Sequence, residues 1–192
     1  MLFRSIEAIA PAVRGECVIV PMLNGVAHLD TLDRRFGAAH VMGGTCAIDV
    51  AMRPDGVIQH SGMLQRLTFG ERDGHRSARA EAFGAELART PIDWELSSDI
   101  QRNLWEKVVF LAVLAAATCL FRANVREIVA APGGVEVMEG GLRATIEIAT
   151  REGHAPSADA IEFARRRLTD PTGPWSASML DRKSTRLNSS HT

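Results

Sequence analysis

A lysine standing where a polar helix start meets an apolar body is the residue best placed for chemistry in this sequence. Lys107 closes the stretch Ser97-Ser98-Asp99-Ile100-Gln101-Arg102-Asn103-Leu104-Trp105-Glu106-Lys107, and from Val108 to Phe121 only Thr118 is polar. An ammonium drawn out of water at such a junction has its pKa lowered, and a lysine so tuned donates a proton near neutral pH. The commoner fate of a helix lysine is to stay solvated or to snorkel. Asn24 is a second candidate. Cys17-Val18-Ile19-Val20-Pro21-Met22-Leu23 is a short apolar run with a β-branched centre, read as a buried, parallel strand. It ends at Asn24-Gly25, after which Val26, Leu29, Leu32 and Phe36 recur at helical spacing. Strand, tight turn and helix make an α/β unit. In open α/β sheets ligands bind beyond the carboxyl ends of the strands, which places the Asn24 amide where it can touch one. The competing role for Asn24 is support of its own turn backbone.

These two residues need elements to hold them. Residues 4–14 are expected to form a helix, limited by Pro11. Strand-like pieces run over 40–50, 56–60 and 64–69, with Pro54-Asp55-Gly56 as a turn, so the sheet should gain an antiparallel extension. Gly43-Gly44 lacks the surroundings of a phosphate loop and is read as backbone freedom alone. Residues 76–88 are helical, with Ala80, Phe83, Gly84 and Leu87 on one face, and Ile92-Asp93-Trp94-Glu95-Leu96 alternates as a last strand.

From Ser97 onward only helices are expected. Ser98 and Gln101 have capping-box spacing, which signals the start of a long helix reaching about Arg122. Its apolar run is shorter than the roughly 20 residues of a membrane span and is read as buried on most sides. A short piece begins at Val125, before Pro132-Gly133-Gly134. A second long helix follows over 135–151, with Gly153 at its end, and a third over 158–168. Arg165-Arg166-Arg167 suits a helix C-terminus and is read as a solvated face.

The bulk numbers bound the function class. The 192 residues are 46% hydrophobic and 23% charged, enough for one domain or two small ones. A net charge of −1 gives no footprint for nucleic acid or an anionic membrane. Cys17, Cys46 and Cys119 are widely spaced in apolar surroundings, which fits reduced core residues of a cytoplasmic protein, with neither a disulfide frame nor a metal site. The first residues lack the hydrophobic region and cleavage site of a signal peptide.

Taken together, the pieces resemble a family. Val20-Pro21-Met22-Leu23-Asn24-Gly25-Val26 is similar to the strand-to-Asn-Gly turn of the ketopantoate reductases (2-dehydropantoate 2-reductases). Asn103-Leu104-Trp105-Glu106-Lys107 resembles their signature around a catalytic lysine. Thr118, Ala123 and Glu127-Ile128 fall where that family's helix and following turn place them, and Ser176-Ala177-Ser178-Met179-Leu180 resembles its substrate-touching segment. The resemblance implies a remnant of a Rossmann-type NADP-binding domain over 1–96 and a helical substrate and dimerisation domain over 97–180. It implies transfer of hydride from NADPH to the C2 carbonyl of a small 2-keto acid, with a homodimer as the assembly. Lys107 would be the general acid that also binds substrate, Asn24 would lie at the cofactor–substrate junction, and Ser178 would hold the substrate's polar end.

Three departures from the family's pattern carry expectations of their own. No G-x-G-x-x-G follows a strand, so the pyrophosphate cradle is missing and the chain is expected to be a fragment that is weak or inactive alone. Leu111 and Ala115 stand one and two turns after Lys107, where the well-studied members carry asparagines, which implies a more apolar pocket and substrate. Residues 181–192 are polar and lack helical periodicity; they resemble adapter-derived sequence and are expected to lie outside the fold. A non-catalytic helical interaction module, or a reductase of a different carbonyl, are the alternatives.

Overall fold

The computed structural model describes residues 2–53 and 55–180; the polar tail and Pro54 of the expected turn lie outside the described residues. The chain divides into two compact units, residues 1–104 and 105–192.

The first unit begins with α1 (Leu2–Ile9), which passes into a single 3₁₀ turn, Ala10–Ala12, where Pro11 stops the α-helix. The extended segment that follows meets its neighbour at one point, a parallel bridge between Ile19 and Val41. The expected strand over 17–23 is therefore corrected to a stretch with one bridge. Ile19 N donates to His40 O (2.7 Å) and Ile19 O accepts from Met42 N (3.0 Å). The next donor on that side of the segment would be the nitrogen of residue 21, and Pro21 has no N–H to give. The Asn24-Gly25 bend then leads into α2 (Ala27–Phe36), with His28, Leu29 and Leu32 buried.

The sheet has three strands in the order β1 (Gly43–Met52), β2 (Ile58–Gly70), β3 (Asp93–Leu96). β1 and β2 are antiparallel, with a register shift between Ile48 and Val50, and β3 runs parallel to β2 over Arg66–Phe69. The two pieces expected at 56–60 and 64–69 are one continuous strand. Between β2 and β3 lies α3 (Ala78–Leu87), which buries Ala80, Gly84 and Leu87 and is capped by Ser77 Oγ, accepting from Ala80 N at 3.1 Å. Phe69 is fully buried with Met42, Ala80 and Leu87; Phe83 meets it edge-on at 4.7 Å and Trp94 stacks at 6.1 Å.

The glycines at the strand ends act through missing volume. A Cβ on Gly43 would stand 2.7 Å from Ile100 Cγ1, one on Gly44 2.7 Å from Val20 Cγ1, and one on Gly70 2.4 Å from Ser97 O. Gly43-Gly44 thus serves close approach, which corrects the reading of those residues as backbone freedom. Ile100 is fully buried among Ile6, Leu29, Leu32, Val41 and Leu104.

α4 (Ile100–Phe121) begins one residue later than the capping-box pattern implies. Asp99 Oδ1 accepts from Arg102 N (3.1 Å), while Ser97 Oγ accepts from Asp99 N (3.0 Å) and donates to Asn103 Oδ1 (2.5 Å). The carboxylate outcompetes the Ser98 hydroxyl because it adds charge to the cap at the positive end of the helix. The division between the units falls within α4, after Leu104.

The second unit holds the rest of α4 with α5 (Val125–Ala130), α6 (Gly134–Arg151) and α7 (Ala158–Leu168). Asn124 and Glu127 form a reciprocal capping box at α5, Gly153 takes φ +83° after α6, and Ser157 caps α7. Val109, Val113, Leu114, Ala117, Met138, Leu142, Ala149 and Leu168 form one core. The 22 residues of α4, at a mean hydropathy of 1.9, are long and apolar enough to cross a membrane by composition, and a third of its most apolar stretch is buried. Ala112, Ala116 and Leu120 lie exposed at four-residue spacing, so the reading of this run as buried on most sides is corrected. Its buried stripe packs on α6 and α7, and the remaining stripe stays open. At the end of α7, Arg165 and Arg166 are exposed as expected, but the Arg167 guanidinium lies 3.7 Å above the Trp175 ring. Cys17, Cys46 and Cys119 are half-buried.

A buried carboxylate fixes the loop after β2. Glu71 is 5% exposed and accepts from Arg79 Nε and Nη2 and from Ser77 Oγ, all at 2.6 Å, while Arg79 also donates to Ala39 O. Its pKa lies below the ordinary 4.5, chiefly because of the Arg79 hydrogen bond, with burial working against it. A lowered carboxyl pKa stabilises the fold above the unfolded value and loses that contribution as pH falls through the folded one. Denaturant midpoints are therefore expected to hold at neutral pH and to fall as pH drops below 4.5, and Glu71→Gln is expected to flatten that acid limb.

Candidate functional site

Each unit contributes candidate groups, and each is described on its own terms. In the first, a cleft of about 520 Å³ is lined by Ser5 of α1 and by Leu23, Asn24, Gly25, Val26, Ala27 and His28. Asn24 is exposed on the bend at its rim, and Gly25 takes φ +92°, the left-handed value that allows the sharp turn into α2. Val26 stands at the N-cap of α2 without a side-chain cap, so the first amides of the helix are left for solvent or a ligand. His28, the second residue of α2, is 5% exposed; burial holds its pKa below 6.5, and its Nε2 is buried without a hydrogen-bond partner. Burial disfavours the charged form of this imidazole, which lines the cleft. The sequence pattern did not single His28 out, because on helical spacing it falls beside the core position Leu29.

In the second unit Lys107 lies half-buried on α4. The turn that carries it is fixed from both sides by the loop between α6 and α7. Glu106 Oε1 accepts from Ser157 N (2.9 Å) and Ser157 Oγ (2.7 Å). The Trp105 ring stacks on His154 at 5.4 Å with planes 16° apart. Charge-assisted bonds to a part-buried carboxylate are among the stronger local restraints a helix can have. Sequence reading passed over Glu106, since its partner lies 51 residues away. Of the two residues one and two turns beyond Lys107, Leu111 packs against the helical core and Ala115 is half-buried.

Ser178 is exposed, at the start of a helical turn after the extended residues 173–177. That extended segment is tied down by Arg126 N to Gly173 O (2.9 Å), Val125 N to Trp175 O (3.1 Å) and Trp175 Nε1 to Arg167 O (3.0 Å). Ala177 N donates to Thr118 Oγ1 of α4 at 3.2 Å. α4 therefore carries Lys107 near its start and, about three turns on, holds the segment that bears Ser178. Among the described residues no cluster of His, Cys, Asp or Glu is suited to a metal ion.

Two family models match the chain. Residues 3–74 match "Ketopantoate reductase PanE/ApbA" and residues 99–184 match "Ketopantoate reductase PanE/ApbA C terminal", together well over half of the sequence. An uncharacterized oxidoreductase of Bacillus subtilis, YkpB, is 29% identical over 91% of this chain and 58% of its own length. The crystal structure of 2-dehydropantoate 2-reductase from Geobacter metallireducens superposes with a TM-score of 0.84 at 24% identity, covering 96% of this chain and 62% of that one. A complex of D-mandelate dehydrogenase with NADH gives a TM-score of 0.79 at 13% identity, over 96% of this chain and 69% of that one. The chain thus spans about three fifths of the B. subtilis and Geobacter proteins.

The clamp at Lys107 makes a direct prediction. Ser157→Ala removes both the cap of α7 and one of the two bonds to Glu106, and is expected to cost about 0.5–2 kcal/mol of stability by denaturant titration.

Proposed function

The chain belongs to the ketopantoate reductase family, and on that footing we propose that it carries the proton-donating and substrate-holding parts of an NADPH-dependent reductase of a small 2-keto acid, 2-dehydropantoate or a more apolar relative. The observation that carries this reading is the setting of Lys107: a half-buried lysine on a helix turn held by Glu106 and Trp105, within the segment matched by the C-terminal family model.

NADPH, when bound, supplies the hydride. The residues present fit its nicotinamide end: the cleft at the start of α2 offers uncapped amide donors and the exposed Asn24 amide. They do not offer a pyrophosphate cradle, since no glycine-rich loop occurs among the 192 residues. Lys107 Nζ holds a proton, stabilises the carbonyl oxygen as negative charge gathers on it, and then yields that proton to the alkoxide. Asn24 orients the reacting carbon by hydrogen bonding, and Ser178 holds the polar end of the substrate. Leu111 and Ala115, in place of amides, favour a substrate with an apolar side chain. A cytoplasmic setting and a homodimeric assembly complete the proposal.

A second reading, the helical unit as an association module, rests on its exposed apolar residues: Leu120 at 76%, with Phe121, Val137 and Phe163. A monomer at every concentration by light scattering removes the second reading, and with it the homodimer of the first, whose chemistry is tested at the lysine. For the first, in a full-length parent that carries a pyrophosphate cradle, Lys107→Ala is expected to lower kcat for ketopantoate reduction by about 10²–10⁴-fold with a much smaller change in KM, measured by NADPH oxidation. Unchanged turnover takes the lysine out of the mechanism.

A further inference from the structure

Thr118 is the one polar residue between Val108 and Phe121, and its place in that run asks for a reason. A hydroxyl in a helix body lowers stability unless its hydrogen-bonding capacity is met. Thr118 is fully buried. Its Oγ1 donates to Leu114 O, one turn back on α4, at 2.7 Å. That bond satisfies the proton and leaves the lone pairs free to accept. Ala177 N fills one of them at 3.2 Å. The hydroxyl is thus a relay between the backbone of α4 and the backbone of the residue next to Ser178.

The surrounding bonds show why this position matters. Residues 173–175 are held by the start of α5 and the end of α7. Past Trp175 the chain has left those elements, and Ser178 itself is exposed. The Ala177 amide is where this stretch returns to α4, and the Ala177 methyl packs on the same helical core. Fixing that amide fixes the backbone from which the Ser178 side chain projects. Valine would fill the same space but leave the part-buried Ala177 N–H without this partner.

We propose that Thr118 is the positioning residue for Ser178: its hydroxyl, by accepting from the Ala177 amide, sets where the Ser178 hydroxyl meets the substrate. The proposal rests on the reading of Ser178 as a substrate-holding group. Thr118 touches neither substrate nor reacting atoms in this account and acts through the segment it anchors.

The test uses ketopantoate as probe and the full chain, with dissociation constants from NMR titration and amide exchange over residues 175–180 followed by mass spectrometry. Thr118→Val is expected to weaken ketopantoate binding roughly five- to tenfold, the effect of one lost backbone anchor, and to speed exchange in 175–180. Thr118→Ser, which keeps the hydroxyl, is expected to restore both. In a Ser178→Ala background Thr118→Val should add no further loss, because the group it positions is gone. Wild-type affinity in Thr118→Val, unchanged exchange, or a full additive loss in the double variant overturns the proposal while leaving the substrate reading intact. Failure of the unaltered chain to bind ketopantoate at all overturns the substrate reading and this proposal with it.

Discussion

The approach of the sheet ends to the first turn of α4 is the constraint on which the first unit depends. Gly43 and Gly70 present no side chain where Ile100 and the Ser97 carbonyl come close, so the sheet and the helix start meet at a distance that any Cβ would forbid. Ile100 then fills the space among α1, α2 and the chain at Val41. Around it, Asp99 and Ser97 satisfy the free amides of the helix start, so the turn that must be buried carries few unmet polar groups. The same helix runs on past Leu104 and supplies the central stripe of the second unit's core.

Within that second unit, α4 is tied to the connecting segments by directional contacts. Glu106 with Ser157, Trp105 with His154, and Thr118 with Ala177 all lie along α4, and each reaches a loop or extended segment rather than another helix. Between the helix faces packing is mainly apolar, with Thr145 Oγ1 of α6 also donating to Val109 O of α4 (3.3 Å). Directional bonds to the connecting segments hold the chain where candidate functional groups project.

How much could be read beforehand follows the range of the physics involved. The helices of the second unit, the Asn-Gly bend and the α3 face were legible because each depends on local periodicity or turn chemistry. The segment at 17–23 misled because its composition is that of a strand while its pairing is decided by the missing N–H of Pro21 and by what lies alongside. The continuity of β2 and the parallel register of β3 depend on contacts between distant residues, which no local pattern carries. Lys107, Asn24 and Ser178 stood out through motif likeness. Glu106, His28 and the role of Thr118 did not, since their meaning lies in partners, or in the lack of one, that only the fold brings forward.

The long hairpin has a consequence for handling the protein. β3 supports β2 only over Arg66–Phe69, so the outer part of the hairpin is a two-stranded ribbon. There Ile48, Val50, Met52, Val57 and Ile58 are all substantially solvent-facing, Met52 at 74% and Ile58 at 69%. A ribbon that shows oily side chains and an unpaired edge together is a ready template for lateral strand addition. Self-association through this tip is the expected route of loss in concentrated stocks, and charged residues introduced there would oppose it without touching the candidate site.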